Sequence, residues 1–289
     1  MTSPLADDLL EAVQSGDLAR ASLVVARIEY PHLDAAACLS RLDALGTGAR
    51  LRIDREVADA GRDHAATRAA GLIAYLFEDE LFVGNRSRYE DPRNSCLNDV
   101  LSRHTGIPLT LAIVFLEVAR RAGVRADGVN FPGHFLVRCP DAAHGGLLLD
   151  PFHKGAVLSP QDCQRMLSRQ SDEPVDLLHL MAPATPTEII VRMLVNLKRV
   201  YVAMRSFPQA RDITNLLLAV SPSGLDELRD RGLLAFHLND LSGALRDLET
   251  YLRLSRMGEA GPLDEDARRE RQQLWGHIKT LRRRTASLN

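Results

Sequence analysis

Long apolar runs and a leader-like N-terminus are both missing from this sequence. The longest apolar run, Ile107 to Val118, contains Glu117 and is shorter than the roughly 20 residues that a membrane-spanning helix requires. The segment Met1 to Leu10 includes two acidic residues and has no basic part followed by an apolar one, so we expect no secretory signal. These absences predict a cytoplasmic protein that does not span a membrane.

The chain also has few cysteines and a small net charge. The four cysteines lie far apart, without the paired spacing of a zinc site or a disulfide framework, so we expect reduced thiols at Cys38, Cys96, Cys139 and Cys163. The formal net charge of -2 gives no overall attraction to nucleic acid. We interpret the basic residues between Arg268 and Arg284 as the solvated face of a helix, and we expect no nucleic-acid partner.

The patterns that are present predict an α+β domain followed by an all-α domain. A chain of 289 residues is long enough for two domains, because single hydrophobic cores stop growing at roughly 250–300 residues. Apolar residues first recur at helical spacing, strand-like runs follow, and helical patterns return after a segment with three prolines. We predict four regions: an N-terminal helical subdomain at 1–88, a core at 89–170, a linker at 171–187, and helical repeats with a C-terminal capping helix at 188–289.

The predicted core combines one buried helix with short strands. The segment Pro108 to Ala122 is apolar on nearly every side, and proline suits the first turn of a helix, where a missing N–H costs nothing. Proline and glycine separate the β-like runs that follow, which are Val124–Phe131, His134–Cys139 and Leu147–Asp150. This order predicts a helix packed on an antiparallel sheet.

The last third of the chain repeats itself at an interval of 34 residues. Phe207 aligns with Leu241 and Ala210 with Ala244. This is the tetratricopeptide period, in which small residues let two helices approach closely. An apolar stripe on a further helix is expected to cap the stack, and it consists of Leu274, Ile278 and Leu281. The repeats predict a groove for a protein or peptide partner.

Three segments of the core resemble the transglutaminase-like superfamily, whose fold is related to papain. They are Gly106-Ile107-Pro108, Gly133-His134-Phe135-Leu136-Val137 and Leu149-Asp150-Pro151. The resemblance implies a thiol at the N-terminus of the buried helix, with a histidine and an aspartate beside it. His134 and Asp150 match the last two positions. Counting back 15 residues from Gly123 puts the cysteine position on Pro108, which has no nucleophile.

A closer resemblance is to the bacterial SirB-type transglutaminase-like proteins with tetratricopeptide repeats. It covers roughly residues 40 to 256 and is carried by Tyr89–Asn98, Gly106–Leu111, Pro132–Arg138 and Arg229–Leu234. The resemblance implies that proline at position 108 is typical of the family. It implies no established biochemical activity.

Two hypotheses about function follow. In the first, the core has lost its nucleophile and the chain is a non-catalytic interaction protein, a pseudoenzyme. In the second, Cys96 replaces the missing thiol and acts with His134 and Asp150 as a cysteine-type hydrolase or acyltransferase on amide bonds. The interpretation that we prefer for Cys96 is a small buried hydrophobic residue, which is what most free cysteines are. We prefer the first hypothesis.

Polar residues just before the buried helix are further candidates. Arg93 and Asn94 either tie loops down or line a cleft beside His134. The histidines at 144 and 153 could join His134 at a metal, but they lack the i, i+4 spacing and the carboxylate companion of a zinc helix. We therefore predict no metal and no cofactor, and the sequence leaves the oligomeric state open.

Overall fold

The computed structural model describes residues 3–141, 146–168, 180–258 and 265–286. The chain divides into two compact units, one formed by Asp8–Met193 and the other by Leu194–Asn289 together with Met1–Asp7. Residues 171–179 of the predicted linker lie outside the described residues, and a helix begins at Pro186.

Helices make up the N-terminal part of the chain, in agreement with the helical spacing of its apolar residues. They are α1 (Pro4–Gln14), α2 (Leu18–Ala26), α3 (Ala35–Ala60) and α4 (Ala65–Ala74), which a π-helical turn continues over Tyr75–Asp79. Asp17 and Asp34 begin α2 and α3, because each carboxylate accepts a hydrogen bond from a backbone N–H of the first turn. Gly61 ends α3 with a φ of 62°, a conformation that glycine adopts without steric cost.

Two very short parallel strands and two helices follow. They are β1 (Val83–Gly84), a 3-10 turn at Pro92–Asn94, α5 (Leu97–Arg103), β2 (Thr105–Gly106) and α6 (Pro108–Ala122). Helix α6 has the predicted bounds, because Pro108 occupies its first position and Gly123, at a φ of 74°, caps its end. It is buried along most of its length, as its apolar composition predicted.

The sheet beside α6 has four antiparallel strands in the order β3-β4-β5-β6. Its strands are β3 (Asp127–Val129), β4 (Leu136–Cys139), β5 (Leu147–Asp150) and β6 (Ala156–Leu158), and helix α7 (Pro160–Leu167) follows. The prediction that a strand starts at His134 was wrong by two residues, because Pro132 and Gly133 form a turn there. Strand β6 was not predicted.

The remaining part of the chain consists of helices whose arrangement repeats. They are α8 (Pro186–Ala203), α9 (Phe207–Val220), α10 (Leu225–His237), α11 (Leu241–Gly258) and α12 (Glu265–Ala286). Helices α9 and α11 begin at Phe207 and Leu241, the two positions that the 34-residue period pairs. None of the helices within the described ranges has both the length and the apolar character that crossing a membrane requires.

The turns before α9 and α11 are copies of each other at the level of single hydrogen bonds. Arg205 and Asn239 both have a positive φ, of 58° and 60°. Each donates its backbone N–H to the carbonyl three residues earlier, and the next residue donates to the carbonyl five residues before it. This is the Schellman pattern, which satisfies carbonyls at the end of a helix. The predicted repeat is therefore present in the backbone as well as in the sequence.

The predicted capping helix is present as α12. Its side chains Leu274, Ile278 and Leu281 are all buried, and they pack in one cluster with Ala235, Ala244, Leu248 and Leu252 of α10 and α11. The stripe was predictable because its spacing of i, i+4 and i+7 places the three residues on one helix face.

Candidate functional site

A tight turn positions His134 at the start of β4. Pro132 and Gly133 are the central residues of this turn, Gly133 has a φ of 64°, and the His134 N–H donates to the Phe131 carbonyl at 3.0 Å. Asp150 is the last residue of the neighbouring strand β5. The His134 Nε2 lies 2.9 Å from Asp150 Oδ2, so the contact predicted between these side chains is present.

A second histidine reaches the same carboxylate. Asp150 begins the 3-10 turn Pro151–His153, and its Oδ1 accepts the backbone N–H groups of Phe152 at 3.0 Å and His153 at 3.3 Å. This turn brings His153 Nδ1 to 2.7 Å from Asp150 Oδ2. One carboxylate oxygen therefore contacts both imidazoles, while the other is held by the backbone.

Burial and charge act in opposite directions on Asp150. The side chain is 3% exposed, and burial raises the pKa of a carboxyl. Hydrogen bonds with His134 and His153, and their charge, outweigh the burial and hold the pKa of Asp150 below its ordinary value. Asp150 is thus a buried anion at neutral pH. Such a group can fix the orientation of an imidazole or bind a cation.

His134, Asp150 and His153 offer three possible metal ligands. Their donor atoms all lie within 4.8 Å of one another, and in the described part of the chain no other histidine, cysteine and carboxylate group of this size is so close. The sequence alone did not predict this cluster, because only the 3-10 turn after β5 directs His153 back toward Asp150. The other histidine considered there, His144, lies outside the described residues.

A cleft of about 640 Å³ adjoins this cluster. His153 and Phe152 form part of its wall, and the exposed cations Arg86 and Lys154 lie beside them. The remaining lining comes from Val83, Gly84, Asn85, Ser87 and Thr105. A ligand in this cleft would therefore meet an imidazole and two positive charges.

The N-terminus of α6 carries no accessible nucleophile. Pro108 is buried at its first position. The hydroxyl of Thr110 is fully buried, accepts the N–H of Ile107 at 3.2 Å and donates to the carbonyl of Asn94 at 2.6 Å. Thr110 therefore stabilises the start of the helix, and its hydroxyl is not available for attack on a substrate.

Cys96 is buried, in agreement with its interpretation as a small buried hydrophobic residue. It is the residue that begins helix α5, which lies upstream of α6 in the chain. The thiol is 1% exposed, and burial together with the carboxylates of Asp99, Glu29 and Asp91 raises the pKa of Cys96 to about 12. The thiol is therefore neutral at physiological pH, whereas reactive cysteines have lowered pKa values.

Asn94 and Arg93 occupy contrasting positions. Asn94 is fully buried, and its amide donates to the Arg88 carbonyl at 2.6 Å and accepts from the Asn85 amide at 3.0 Å. The side chain of Arg93 is 48% exposed and pairs with Asp91 at 2.7 Å. Asn94 thus ties the loop after β1 to the start of α6, and neither side chain lines the cleft at His153.

Two family models match this chain in succession. The model of the transglutaminase-like superfamily matches residues 36–195, and a tetratricopeptide repeat model matches residues 197–274. The fold and its site therefore define a transglutaminase-like domain followed by tetratricopeptide repeats.

Bacterial relatives give the particular family. A UPF0162 protein of Xylella fastidiosa (strain Temecula1) is 38% identical over 237 residues, which cover 81% of this chain and 82% of the relative. A UPF0162 protein of Pseudomonas aeruginosa is 32% identical over 257 residues, covering 85% and 91%. The chain belongs to the UPF0162 family. It is also similar to F-box only protein 21 of Mus musculus, at 33% identity over 178 residues, but these cover 57% of this chain and 27% of that protein. No solved structure matches.

Proposed function

We propose that this chain is a cytoplasmic, non-catalytic interaction protein of the SirB type, in which the repeats bind a protein partner. The observation that carries the proposal is the missing nucleophile. Pro108 stands at the helix N-terminus where the superfamily has its thiol, and Thr110 beside it has both hydrogen-bonding functions of its hydroxyl in use. The His134–Asp150 pair has no nucleophile at that position to activate.

A cleft between α11 and α12 supports the choice of partner. It has a volume of about 680 Å³, and its apolar surface includes Leu245, Leu252, Trp275 and Ile278. Three arginines also line it, Arg246, Arg253 and Arg282, together with one acidic residue, Glu249, which pairs with Arg282 at 2.6 Å. The side chains of Arg246 and Arg282 are 71% and 58% exposed. An apolar surface with a cationic rim is complementary to an acidic segment that carries a large apolar side chain.

The test uses two synthetic peptides and three charge-reversal variants of the full chain. One peptide places leucines between glutamates, and its counterpart has lysines in place of the glutamates. By fluorescence anisotropy we expect the wild type to bind the acidic peptide and not the basic one. Arg246→Glu and Arg253→Glu should each weaken this binding by about 10-fold or more, because each reverses a charge at the rim.

The matched control is Arg283→Glu, which makes the same charge change on α12 at an exposed residue outside the cleft lining. It should bind as the wild type does. Equal weakening in all three variants would show that net charge, and not the cleft, determines binding. Equal binding of both peptides would remove the argument for an acidic partner.

The cysteine-type hydrolase or acyltransferase is the second candidate, and the His134–Asp150 hydrogen bond is the observation in its favour. It requires a reactive Cys96. With its pKa raised to about 12, the native thiol should react with iodoacetamide at pH 8 at least about 100-fold more slowly than in the urea-unfolded chain. Peptide mass spectrometry separates Cys96 from the half-buried Cys38. Fast, selective labelling of Cys96 would favour the enzyme.

A further inference from the structure

We propose that His134, Asp150 and His153 form a binding site for a divalent transition-metal ion, with Zn²⁺ as the best-suited ion. Two imidazole nitrogens and one carboxylate oxygen are a donor set that proteins use for Zn²⁺. Mg²⁺ and Ca²⁺ prefer sites made entirely of oxygen ligands, so this set disfavours them. The proposal is independent of the interaction function, because the repeats take no part in it.

The distances between the donor atoms come close to what the ion needs. Zinc bonds of 2.0–2.2 Å in a tetrahedral site place neighbouring donors about 3.3 Å apart. His134 Nε2 lies 2.9 Å and His153 Nδ1 lies 2.7 Å from Asp150 Oδ2. One donor atom from each of the three residues lies within 4.8 Å of the other two. His153 is 45% exposed, so its ring has room to rotate. A modest rotation can bring its Nδ1 to the donor spacing that the ion requires.

The surroundings hold the ligands in place. Asp150 Oδ1 accepts two backbone N–H groups, which leaves Oδ2 directed at both histidines. The Phe152 ring contacts His134 edge-on at 6.1 Å between centroids and His153 at 5.2 Å. Hydrogen bonds and packing of this kind orient metal ligands and increase affinity. The carboxylate, 3% exposed, places its negative charge where a cation would lie.

An ion at this position would be accessible. Three protein ligands leave a fourth coordination position for water or a ligand, as in catalytic zinc sites. His153 also lines the cleft of about 640 Å³ that Arg86 and Lys154 share. Of the three ligands only His153 lines this cleft, so an ion would enter past the His153 ring, and the charge of Asp150 has to outweigh the repulsion from Arg86 and Lys154.

The experiment titrates the full chain, freed of metal with a chelator, with Zn²⁺ in an isothermal titration calorimeter. We expect one ion per chain in the wild type. His153→Ala and His134→Ala should each weaken binding at least about 10-fold, since losing a ligand costs no less than the 10–100-fold of losing an outer partner. His153→Ala should still fold without metal, as checked by circular dichroism, although the lost hydrogen bond to buried Asp150 should lower its thermal midpoint.

The matched control is His64→Ala, which removes an exposed histidine of the same unit whose side chain makes no capping hydrogen bond. It should bind Zn²⁺ as the wild type does. A Co²⁺ spectrum should show no thiolate charge-transfer band, which excludes the cysteines as ligands. Absence of binding, equal affinity in all variants, or a thiolate band would each overturn the proposal.

Discussion

The repeat region and the transglutaminase-like core differ in how far apart in the sequence their contacting residues lie. In the repeats, the turn at Arg205 recurs at Asn239 with the same backbone hydrogen bonds. In the core, the Arg121 guanidinium contacts Asp43 across 78 residues at 2.7 Å. A long-range contact of this kind joins one particular pair of side chains and has no second copy, unlike the turn in the repeats. A single substitution should therefore cost more in the core than in the repeats, and three predictions test that difference.

The largest effect is expected at Asn94 in the core. Asn94→Ala removes the amide that bonds Arg88 and Asn85 in a fully buried position. Each lost buried hydrogen bond costs about 1 kcal/mol and leaves an unpaired partner. We expect the free energy of unfolding to fall by about 3 kcal/mol, measured by denaturant unfolding followed by circular dichroism.

Its neighbour Arg93 provides the control. Arg93→Ala removes a half-exposed ion pair with Asp91, and such pairs contribute about 0.2–1 kcal/mol. If the two variants unfold at the same denaturant concentration, Asn94 is not the structural centre of this loop. The expectation that a single substitution costs more stability in the core than in the repeats would then be contradicted.

A smaller effect is expected at Lys198 in the repeats. Its ammonium group bonds Asp230 at 2.7 Å and also Glu227, and its side chain is 12% exposed. Lys198→Met leaves two carboxylates, which are 18% and 27% exposed, without this cation. We expect a loss of about 2 kcal/mol, between the cost at an exposed ion pair and the cost at a fully buried one. The chain's one tryptophan, Trp275, lies in this unit, so its fluorescence can follow unfolding. Lys279→Met, at an exposed position, should change little.

This contribution should depend on pH in a defined direction. Burial lowers the pKa of Lys198, but hydrogen bonds to Asp230 and Glu227 outweigh it and raise the pKa above the ordinary 10.5. A raised pKa in the folded state adds stability below the unfolded value and loses it as the pH rises through the folded one. The difference between wild type and Lys198→Met should hold up to about pH 10.5 and shrink above it. A difference that grows there would contradict the ion pair.

The smallest effect is expected at the two equivalent turns. Arg205 and Asn239 both have the left-handed backbone conformation, which costs most side chains about 1 kcal/mol and asparagine less. Arg205→Gly should stabilise the chain by up to about 1 kcal/mol. Asn239→Gly should gain less, because asparagine tolerates this conformation and its side chain also accepts from Arg284 at 2.8 Å. Equal gains in stability would contradict this prediction, because they would show that the Asn239 side chain stabilises its turn no more than Arg205 does.

The features that could be predicted from the sequence are mainly those that depend on neighbouring residues in the chain. The ends of α6 and the starts of α9 and α11 were predictable, because Pro108, Gly123 and the 34-residue period act locally. The contact of His134 with Asp150 was predictable because adjacent strands place them together. The start of β4 was misplaced, because a Pro-Gly turn allows a chain direction that strand propensity does not reveal.

Residues at the candidate site show where the limit lies. The presence of His134, Asp150, Cys96 and Asn94 was visible in the sequence, but their surroundings were not. Burial of the Cys96 thiol among three carboxylates raises its pKa and opposes the thiolate. That outcome depends on Glu29 from the turn after α2, Asp91 from the loop before α5 and Asp99 on α5, which meet only in the fold.

By itself, the sequence determined the helical repeat, the buried helix and the start of that helix at Pro108, because these depend on spacing, local backbone preference and residue type. Only the tertiary structure decided that His153 joins Asp150 and that Asn94 is fully buried. The physical reason is that hydrogen bonds and pKa shifts depend on which side chains meet in space, and a short turn or a neighbouring loop can change those partners without changing the pattern.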